Sequence, residues 1–248
     1  MTSQILLSSL IFVAALLYSS VGHGGASGYL AAMALFNVSP AVMKPTALVL
    51  NLFVAGVGTI RYARTGCFSW NIFWPFAALS IPFAFTGGSW TLPVRIYKMI
   101  LGLVLLFAAW RLALPQRSQS PAGLKPVVVP WALIMGAAIG LLSGLTGVGG
   151  GIFLSPLLLL LGWADIRKTA GVSAAFILVN SAAGLLGQFS RGQGIKALPH
   201  EIVWWVPAAL VGGLIGAELG SRRLTPLVMR RLLAAVLVVA GLKMLLTN

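Results

Sequence analysis

The chain has 248 residues, of which 59% are hydrophobic and only 8% charged, and its mean hydropathy is +0.99. A soluble domain carries about 25% charged residues, so this composition excludes a soluble enzyme or a soluble nucleic-acid-binding protein. The formal net charge of +14 comes from basic residues between apolar runs, where they predict contact with membrane lipid and not with nucleic acid. The composition therefore predicts an integral membrane protein.

Ten apolar segments predict an all-α, polytopic fold, because each is too continuously apolar for the alternating strands of a membrane barrel. No Lys or Arg precedes the first segment and no A-x-A cleavage site follows it, so we expect it to be retained. All eight tryptophans lie near predicted segment ends, where amphipathic rings prefer the interface. The segments are 5–21, 26–36, 45–63, 70–90 and 97–114, then 127–145, 152–162, 169–190, 202–220 and 229–246.

The two series of five segments resemble each other, which indicates a duplication. Four matches keep the same order in both series, and the offset between partners rises slowly from 125 to 133 residues. We therefore predict a first repeat at 1–114, a polar linker at 115–126 and a second repeat at 127–248, together forming one transmembrane transport domain. The matches are Gly22-x-Gly24-Gly25 with Gly147-x-Gly149-Gly150, Thr46-Ala47 with Ser173-Ala174, Arg64 with Arg191, and Pro93 and Lys98 with Pro226 and Arg231.

The segment 26–36 and its counterpart 152–162 are too short to cross a bilayer, since 11 residues of helix span only about 16 Å. We therefore predict two inverted repeats, each with a broken or re-entrant helix pair plus about three transmembrane helices. This arrangement puts eleven of the seventeen Lys and Arg on the linker side, whereas a single crossing by each pair divides them eight to nine. The positive-inside rule favours the inverted arrangement, with the linker cytoplasmic and both termini periplasmic.

Two glycine clusters, 20–28 and 144–151, are the strongest indication of a site. Successive glycines disfavour helix, and the backbone N–H groups of such an unwound turn, followed by a helix start, suit an anion. The alternative is that the glycines only let helices pack closely. Recurrence in both halves favours the site. The candidate substrate-binding residues are Gly22, His23, Gly24, Gly25 and Ser27 in the first cluster, and Gly147, Gly149, Gly150 and Gly151 in the second.

Polar side chains within the apolar segments add further candidates. Histidine titrates near neutral pH, so His23 could bind an oxyanion and couple its transport to protons, or could instead be a structural histidine. Thr46 and Ser173 are neutral candidates for substrate binding. Asn51 and Asn180 could bind the anion or could form hydrogen bonds between helices, and Gln188 is a weaker candidate of the same kind.

Glu218 is the one acid embedded in an apolar run. It is a second candidate for proton coupling, although Arg222 lies four residues on, the spacing of a helical ion pair. Two histidines and three acids offer no cluster for a metal or an acid/base pair, so we predict no metal, no cofactor and no enzymatic activity.

The glycine turn, the short apolar helix after it and the segment Arg167 to Ser173 resemble the TauE/SafE family of sulfite and organosulfonate exporters. The most specific stretch is Gly144 to Pro156, and Lys44-Pro45-Thr46-Ala47 is a weaker first copy. The resemblance implies a small two-repeat carrier of the bacterial inner membrane for sulfite, sulfoacetate or related sulfonates. The first copy departs from the family pattern at His23 and at Ala26-Ser27.

The sequence contains no G-x-x-x-x-G-K-[ST] motif, so the predicted transporter draws on an ion gradient and not on a nucleotide. Its predicted partners are a small anionic substrate and membrane lipid. A passive anion channel and a membrane enzyme are the alternatives. Oligomeric state, transport direction and the coupling ion have no signature in these residues.

Overall fold

The computed structural model describes residues 2–114, 123–192, 198–222 and 227–246, and within these ranges every regular element is a helix. Each of the ten predicted segments corresponds to one helix, with ends that differ by a few residues. The all-α, polytopic prediction is confirmed. The helices are α1 (Thr2–Ser19), α2 (Ala26–Leu35), α3 (Pro40–Arg64), α4 (Trp70–Ser89), α5 (Val94–Ala113), α6 (Val129–Thr146), α7 (Gly151–Leu160), α8 (Ile166–Phe189), α9 (Ile202–Arg222) and α10 (Leu227–Leu246).

Helix lengths recur in the same order in α1 to α5 and in α6 to α10. The short helices α2 and α7 have 10 residues each, and the longest helices α3 and α8 have 25 and 24. Within the described ranges, five helices are long and apolar enough to cross a membrane: α3, α4, α6, α8 and α9. Residues 115–122 of the predicted linker lie outside the described residues.

Each long helix before a glycine cluster runs much farther than the short helix after it. At 1.5 Å per residue, the 18 residues of α6 span about 27 Å and the 10 residues of α7 about 15 Å. The backbone N–H of Lys125, just before α6, donates to the carbonyl oxygen of Gly162, just after α7, at 2.8 Å. The chain therefore approaches α6 and leaves α7 at the same end of the molecule, as a re-entrant pair does.

Close helix packing depends on glycines at four-residue spacing on α6 and α9. At these positions a Cβ would collide with backbone atoms of the facing helix, so only glycine permits the approach. The helix pairs α4 with α6 and α1 with α9 are both built in this way. The α6 glycines are Gly136, Gly140 and Gly144, which face Phe76, Ser80 and Ala84, and the α9 glycines are Gly212, Gly216 and Gly220, which face Phe12, Leu16 and Ser20.

Candidate functional site

The two glycine turns come together on one pair of side chains, Asn51 of α3 and Ile177 of α8. A Cβ placed on Gly24 would lie 2.5 Å from Asn51 Oδ1 and 3.0 Å from Ile177 Cγ2. A Cβ placed on Gly149 would lie 2.6 Å from Asn51 Nδ2 and 2.8 Å from the same Ile177 atom. Asn51 Nδ2 also faces the carbonyl oxygen of Val148 at 3.5 Å. The Asn51 amide is therefore held between the turns.

This meeting point lies halfway along the two longest helices. Asn51 is the twelfth residue of the 25 in α3, and Ile177 is the twelfth of the 24 in α8. Both side chains are buried. Not every predicted glycine is there, because Gly22 packs against Ala170 near the start of α8, and Gly147 packs against Lys44 near the start of α3.

Both short helices begin at the meeting point with no side chain capping them. The N-cap residue of α2 is Gly25, with φ of +99°, and that of α7 is Gly150, with φ of +84°. These left-handed conformations favour glycine, and a glycine N-cap has no side chain to accept from the first-turn N–H groups. The positive ends of two helix dipoles therefore adjoin the Asn51 amide. Ser27 is buried in the first turn of α2, and Gly151 in the first turn of α7 packs against Ile177.

A chain of hydrogen bonds connects His23 to the second half of the molecule. Ser155 Oγ of α7 lies 3.2 Å from His23 Nε2 and 2.8 Å from Ser173 Oγ of α8. His23 Nδ1 lies 3.0 Å from the carbonyl oxygen of Val21, which can only accept, so Nδ1 carries a hydrogen. In the neutral imidazole Nε2 therefore accepts from Ser155, and Ser155 in turn accepts from Ser173.

The two candidate asparagines differ in how their amides are bonded. Asn180 Oδ1 accepts from Ser80 of α4, and its Nδ2 donates to the carbonyl oxygen of Phe176 at 2.8 Å. Asn51 Nδ2 lies 3.2 Å from Ser181 Oγ, whereas its buried Oδ1 has no hydrogen-bond partner. The structure thus puts Asn180 in a hydrogen bond between helices, whereas the Asn51 amide has one bonded donor group and one acceptor with no partner among the described residues.

Thr46 lies near the start of α3, and Glu218 of α9 lies beside the other end of α3. Thr46 is fully buried and its Oγ1 has no hydrogen-bond partner. Glu218 Oε2 lies 3.0 Å from Arg61 Nη1, and both side chains are partly exposed, at 35% and 44%. Glu218 therefore pairs with a helix distant in sequence, while the side chain of its predicted partner Arg222 lies outside the described residues.

Sequence reasoning missed Ser155 and Ser181, which contact His23 and Asn51. The available signal was a hydroxyl side chain in a strongly apolar helix. Because a serine hydroxyl often bonds to a backbone carbonyl of its own helix, sequence spacing alone does not show which serines have a functional role. Lys44 was read only as part of a motif, although it is a buried cation. Among the described residues, no three His, Cys, Asp or Glu side chains group as they would to hold a metal ion.

Comparison with known proteins identifies the family. Probable membrane transporter protein y4hK of Sinorhizobium fredii is 44% identical over 250 residues, which cover 98% of this chain and 99% of that protein. Probable membrane transporter protein MJ0441 of Methanocaldococcus jannaschii is 25% identical, with 95% of this chain and 92% of that protein covered. No solved structure gives a significant match. The profile of the sulfite exporter TauE/SafE family matches residues 7–244, which confirms the resemblance seen in the sequence, and the chain belongs to this family of multi-pass membrane transporters.

Proposed function

We propose that this protein is a secondary carrier that moves a small sulfur-containing oxyanion, such as sulfite, sulfoacetate or a related sulfonate, across the bacterial inner membrane. The observation that carries the proposal is the convergence of two uncapped helix starts on the amide of Asn51. The matching family is named for sulfite export, which supports the choice of substrate class.

The anion binds between Gly24 and Gly149. Its oxygens accept hydrogen bonds from backbone N–H groups at the starts of α2 and α7 and from Nδ2 of Asn51. Neutral donors suit a carrier, because they stabilise an anion without the cost of a permanently buried cation and release it when the cavity opens. In the empty protein Asn51 Nδ2 donates to Ser181 Oγ at 3.2 Å, so binding exchanges this hydrogen bond for one to the anion.

His23 couples this site to protons through the direction of its hydrogen-bond chain. When the imidazole is neutral, Ser173 donates to Ser155 and Ser155 donates to His23 Nε2. When Nε2 takes up a proton it becomes a donor, so Ser155 no longer donates to it; the Ser155 hydroxyl then turns to donate to Ser173, and the Ser173 hydroxyl donates to the anion instead. Protonation thereby adds a positive charge and frees one hydroxyl donor, and both changes favour an anion. The aromatic ring in contact with His23 is that of Tyr18, with ring centroids 6.2 Å apart.

The carrier works as two inverted repeats, 1–114 and 127–248, on either side of the linker 115–126. Matched helix lengths support this arrangement. If α1 corresponds to α6 and α4 to α9, then the packed pair α4 with α6 corresponds to the packed pair α9 with α1, as expected of two equivalent repeats. Inverted repeats place a shared site at their interface near the membrane midplane, and rocking of one repeat against the other exposes that site to each side in turn.

Flux measurements in proteoliposomes test the proposal. Purified protein is reconstituted, sulfite is applied on one side, and uptake is followed with and without an imposed pH gradient. A carrier gives saturable sulfite flux that responds to the gradient. Current that saturates only at very high concentration supports a channel, and consumption of sulfite without flux supports an enzyme, and either result contradicts the proposal.

A further inference from the structure

A cleft opens at the end of the molecule beyond the second glycine turn. It has a volume of about 460 Å³ and is lined by residues 89–92, which follow α4, and by Arg191, which follows α8. The side chains of Thr91 and Arg191 are exposed. The cleft is thus an opening at the surface with a cation on its wall.

Lys44 lies beneath this cleft and connects it to the glycine turn. Its Nζ donates to the carbonyl oxygens of Gly87, Gly88 and Trp90 at 3.2, 3.0 and 3.3 Å, and Trp90 also lines the cleft. The backbone of the same lysine packs against Gly147, where a Cβ would lie 3.0 Å from the Lys44 oxygen. Lys44 therefore spans the distance between the open cleft and the second turn.

The cations of this region have no carboxylate beside them. Lys44 is 8% exposed and its named partners are neutral carbonyl groups. The three acids of the chain are engaged elsewhere: Asp165 caps the opposite end of α8, Glu201 accepts from Gln4, and Glu218 pairs with Arg61. The carbonyl oxygens at the end of α4 stabilise the buried lysine but do not neutralise its charge, and cations that no carboxylate neutralises attract anions to a cleft.

Gln188 has an unpaired donor and lies next to Arg191 in the chain, since the Arg191 backbone N–H donates to the Gln188 carbonyl oxygen at 3.2 Å. Its side chain is 4% exposed and its Nε2 atom has no hydrogen-bond partner. On α8 it lies one turn beyond Gly184, which packs against Gly88, so these two residues share one face of the helix, and Arg191 follows just beyond the helix end. That face is turned towards the carbonyl groups that hold Lys44.

We propose that Lys44, Gln188 and Arg191 form a second oxyanion-binding site, an antechamber through which the substrate passes between the cleft and the glycine turns. Arg191 attracts the anion, Gln188 donates to it, and Lys44 exchanges its carbonyl partners for the anion. The identity of the anion as a sulfur oxyanion rests on the proposed function, whereas the anion selectivity of the antechamber does not.

Thiol modification tests this selectivity without any transport measurement. Thr91→Cys is introduced into a Cys67→Ser background, and its reaction rates with an anionic and a cationic methanethiosulfonate reagent are compared. We expect the anionic reagent to react faster, and we expect Arg191→Gln and Lys44→Gln each to lower the rate ratio by about tenfold. Methanesulfonate at about 10 mM, enough to occupy a weak site, should slow the reaction. It replaces sulfite in this assay because sulfite itself reacts with methanethiosulfonates and with disulfides. Equal rates in the parent, or a ratio that neither variant changes, would overturn the antechamber.

Lys243→Gln is the matched control. Lys243 Nζ also donates to a backbone carbonyl, that of Leu35 at 2.9 Å, but it does not line the cleft. We expect its rate ratio to equal that of the parent. An equal fall in the Lys243 variant would show a general charge effect and overturn the assignment. If Lys44→Gln fails to fold, the exposed Arg191→Gln variant decides the question alone.

Sulfite flux separates the antechamber from the proposed function. We expect Arg191→Gln to raise the half-saturating sulfite concentration by about tenfold at an unchanged maximal rate, with the difference shrinking as salt is added. If the parent protein carries no sulfite, but its Thr91→Cys thiol still reacts anion-selectively and is still protected by methanesulfonate, the proposed function is contradicted and the antechamber stands. Normal sulfite flux together with a cleft that shows no anion selectivity contradicts the antechamber and leaves the proposed function standing.

Discussion

Nε2 of His23 lies 3.2 Å from Oγ of Ser155, and this contact joins the first glycine turn to the short helix after the second. His23 belongs to the 1–114 half of the chain and Ser155 to the other. Because this contact joins the two halves, protonation of His23 can alter how they pack against each other. Because Ser155 is also 2.8 Å from Ser173, the effect of a proton on His23 reaches α8.

His23→Ala tests the coupling directly. We expect the variant to fold, to bind sulfite more weakly and to lose the rise in flux that accompanies protonation, which for an ordinary histidine is centred near pH 6.5. Flux is measured from pH 5 to 8, about the range in which histidine titrates. Sulfite itself takes up a proton in this range, so competition by methanesulfonate, which stays ionised, is measured alongside.

His23→Gln is the control, because glutamine keeps a hydrogen-bonding side chain that does not titrate. We expect it to restore part of the sulfite affinity but none of the pH dependence. A His23→Ala protein with the parent's full rate and pH profile would remove the histidine from the mechanism.

Ser155→Ala should behave as part of the same unit as His23. We expect each single variant to reduce sulfite flux by at least about tenfold. The double variant should have the same flux as the less active single variant, because either substitution alone already interrupts the series of hydrogen bonds. The hydrogen-bond loss itself should cost only about 1 kcal/mol in unfolding free energy. A double-mutant cycle on flux provides the measurement, and strictly additive effects would contradict a shared function.

The helices could be predicted because their signal is local. Ten apolar segments appear as ten helices, and glycine runs such as 147–151 interrupt them as expected. The partners of individual polar residues could not be predicted, because they depend on which helices meet. Asn51 and Asn180 look alike in sequence, yet Ser80 of α4 satisfies one amide, while the other lies between two turns.

Glycine conformation also changes how the site can be tested. The sequence suggests Gly25→Leu and Gly149→Leu as probes of anion access. However, both residues have positive φ values, +99° and +82°, and any Cβ would lie 2.5 or 2.6 Å from a neighbouring side chain. Such variants strain the backbone whether or not an anion binds there. Side-chain variants beside the turns distinguish the two possibilities better.

Asn51→Ala and Asn180→Ala form the matched pair for that purpose. We expect Asn51→Ala to abolish measurable sulfite binding in the folded fraction, while the loss of the Nδ2 contacts with Ser181 and Val148 lowers the unfolding free energy by about 1–3 kcal/mol. We expect Asn180→Ala to lower the unfolding free energy by about 1–3 kcal/mol, because it leaves a buried hydroxyl unpaired, while the folded fraction binds sulfite normally. Binding isotherms and thermal unfolding in detergent measure both effects. The opposite pattern would transfer the binding role to Asn180.

The orientation of the protein can be tested at exposed loop positions. The distribution of eleven basic residues against six predicts that Thr65 and Gly123 face the cytoplasm and Ser39 the periplasm. Cysteine is introduced at each position in a Cys67→Ser background and labelled with a membrane-impermeant maleimide in intact and in permeabilised cells. We expect only Ser39→Cys to react in intact cells. Labelling of Gly123→Cys but not Ser39→Cys would show that the molecule lies the other way up.

Gly140 and Gly56 provide a prediction about what holds the helices together. A Cβ on Gly140 would collide with the backbone of Ser80 in α4, whereas a Cβ on Gly56 would meet only Leu178 Cδ1 at 3.9 Å, an ordinary contact. Gly140→Ala must therefore push α6 away from α4, and overpacking of this kind typically costs about 1–3 kcal/mol. Gly56→Ala replaces a glycine within a helix and should be neutral or stabilising by about 0.5–1 kcal/mol. The midpoint of thermal unfolding in detergent measures the difference. A Gly140→Ala protein as stable as the Gly56→Ala protein would mean that close approach of these backbones does not stabilise the fold.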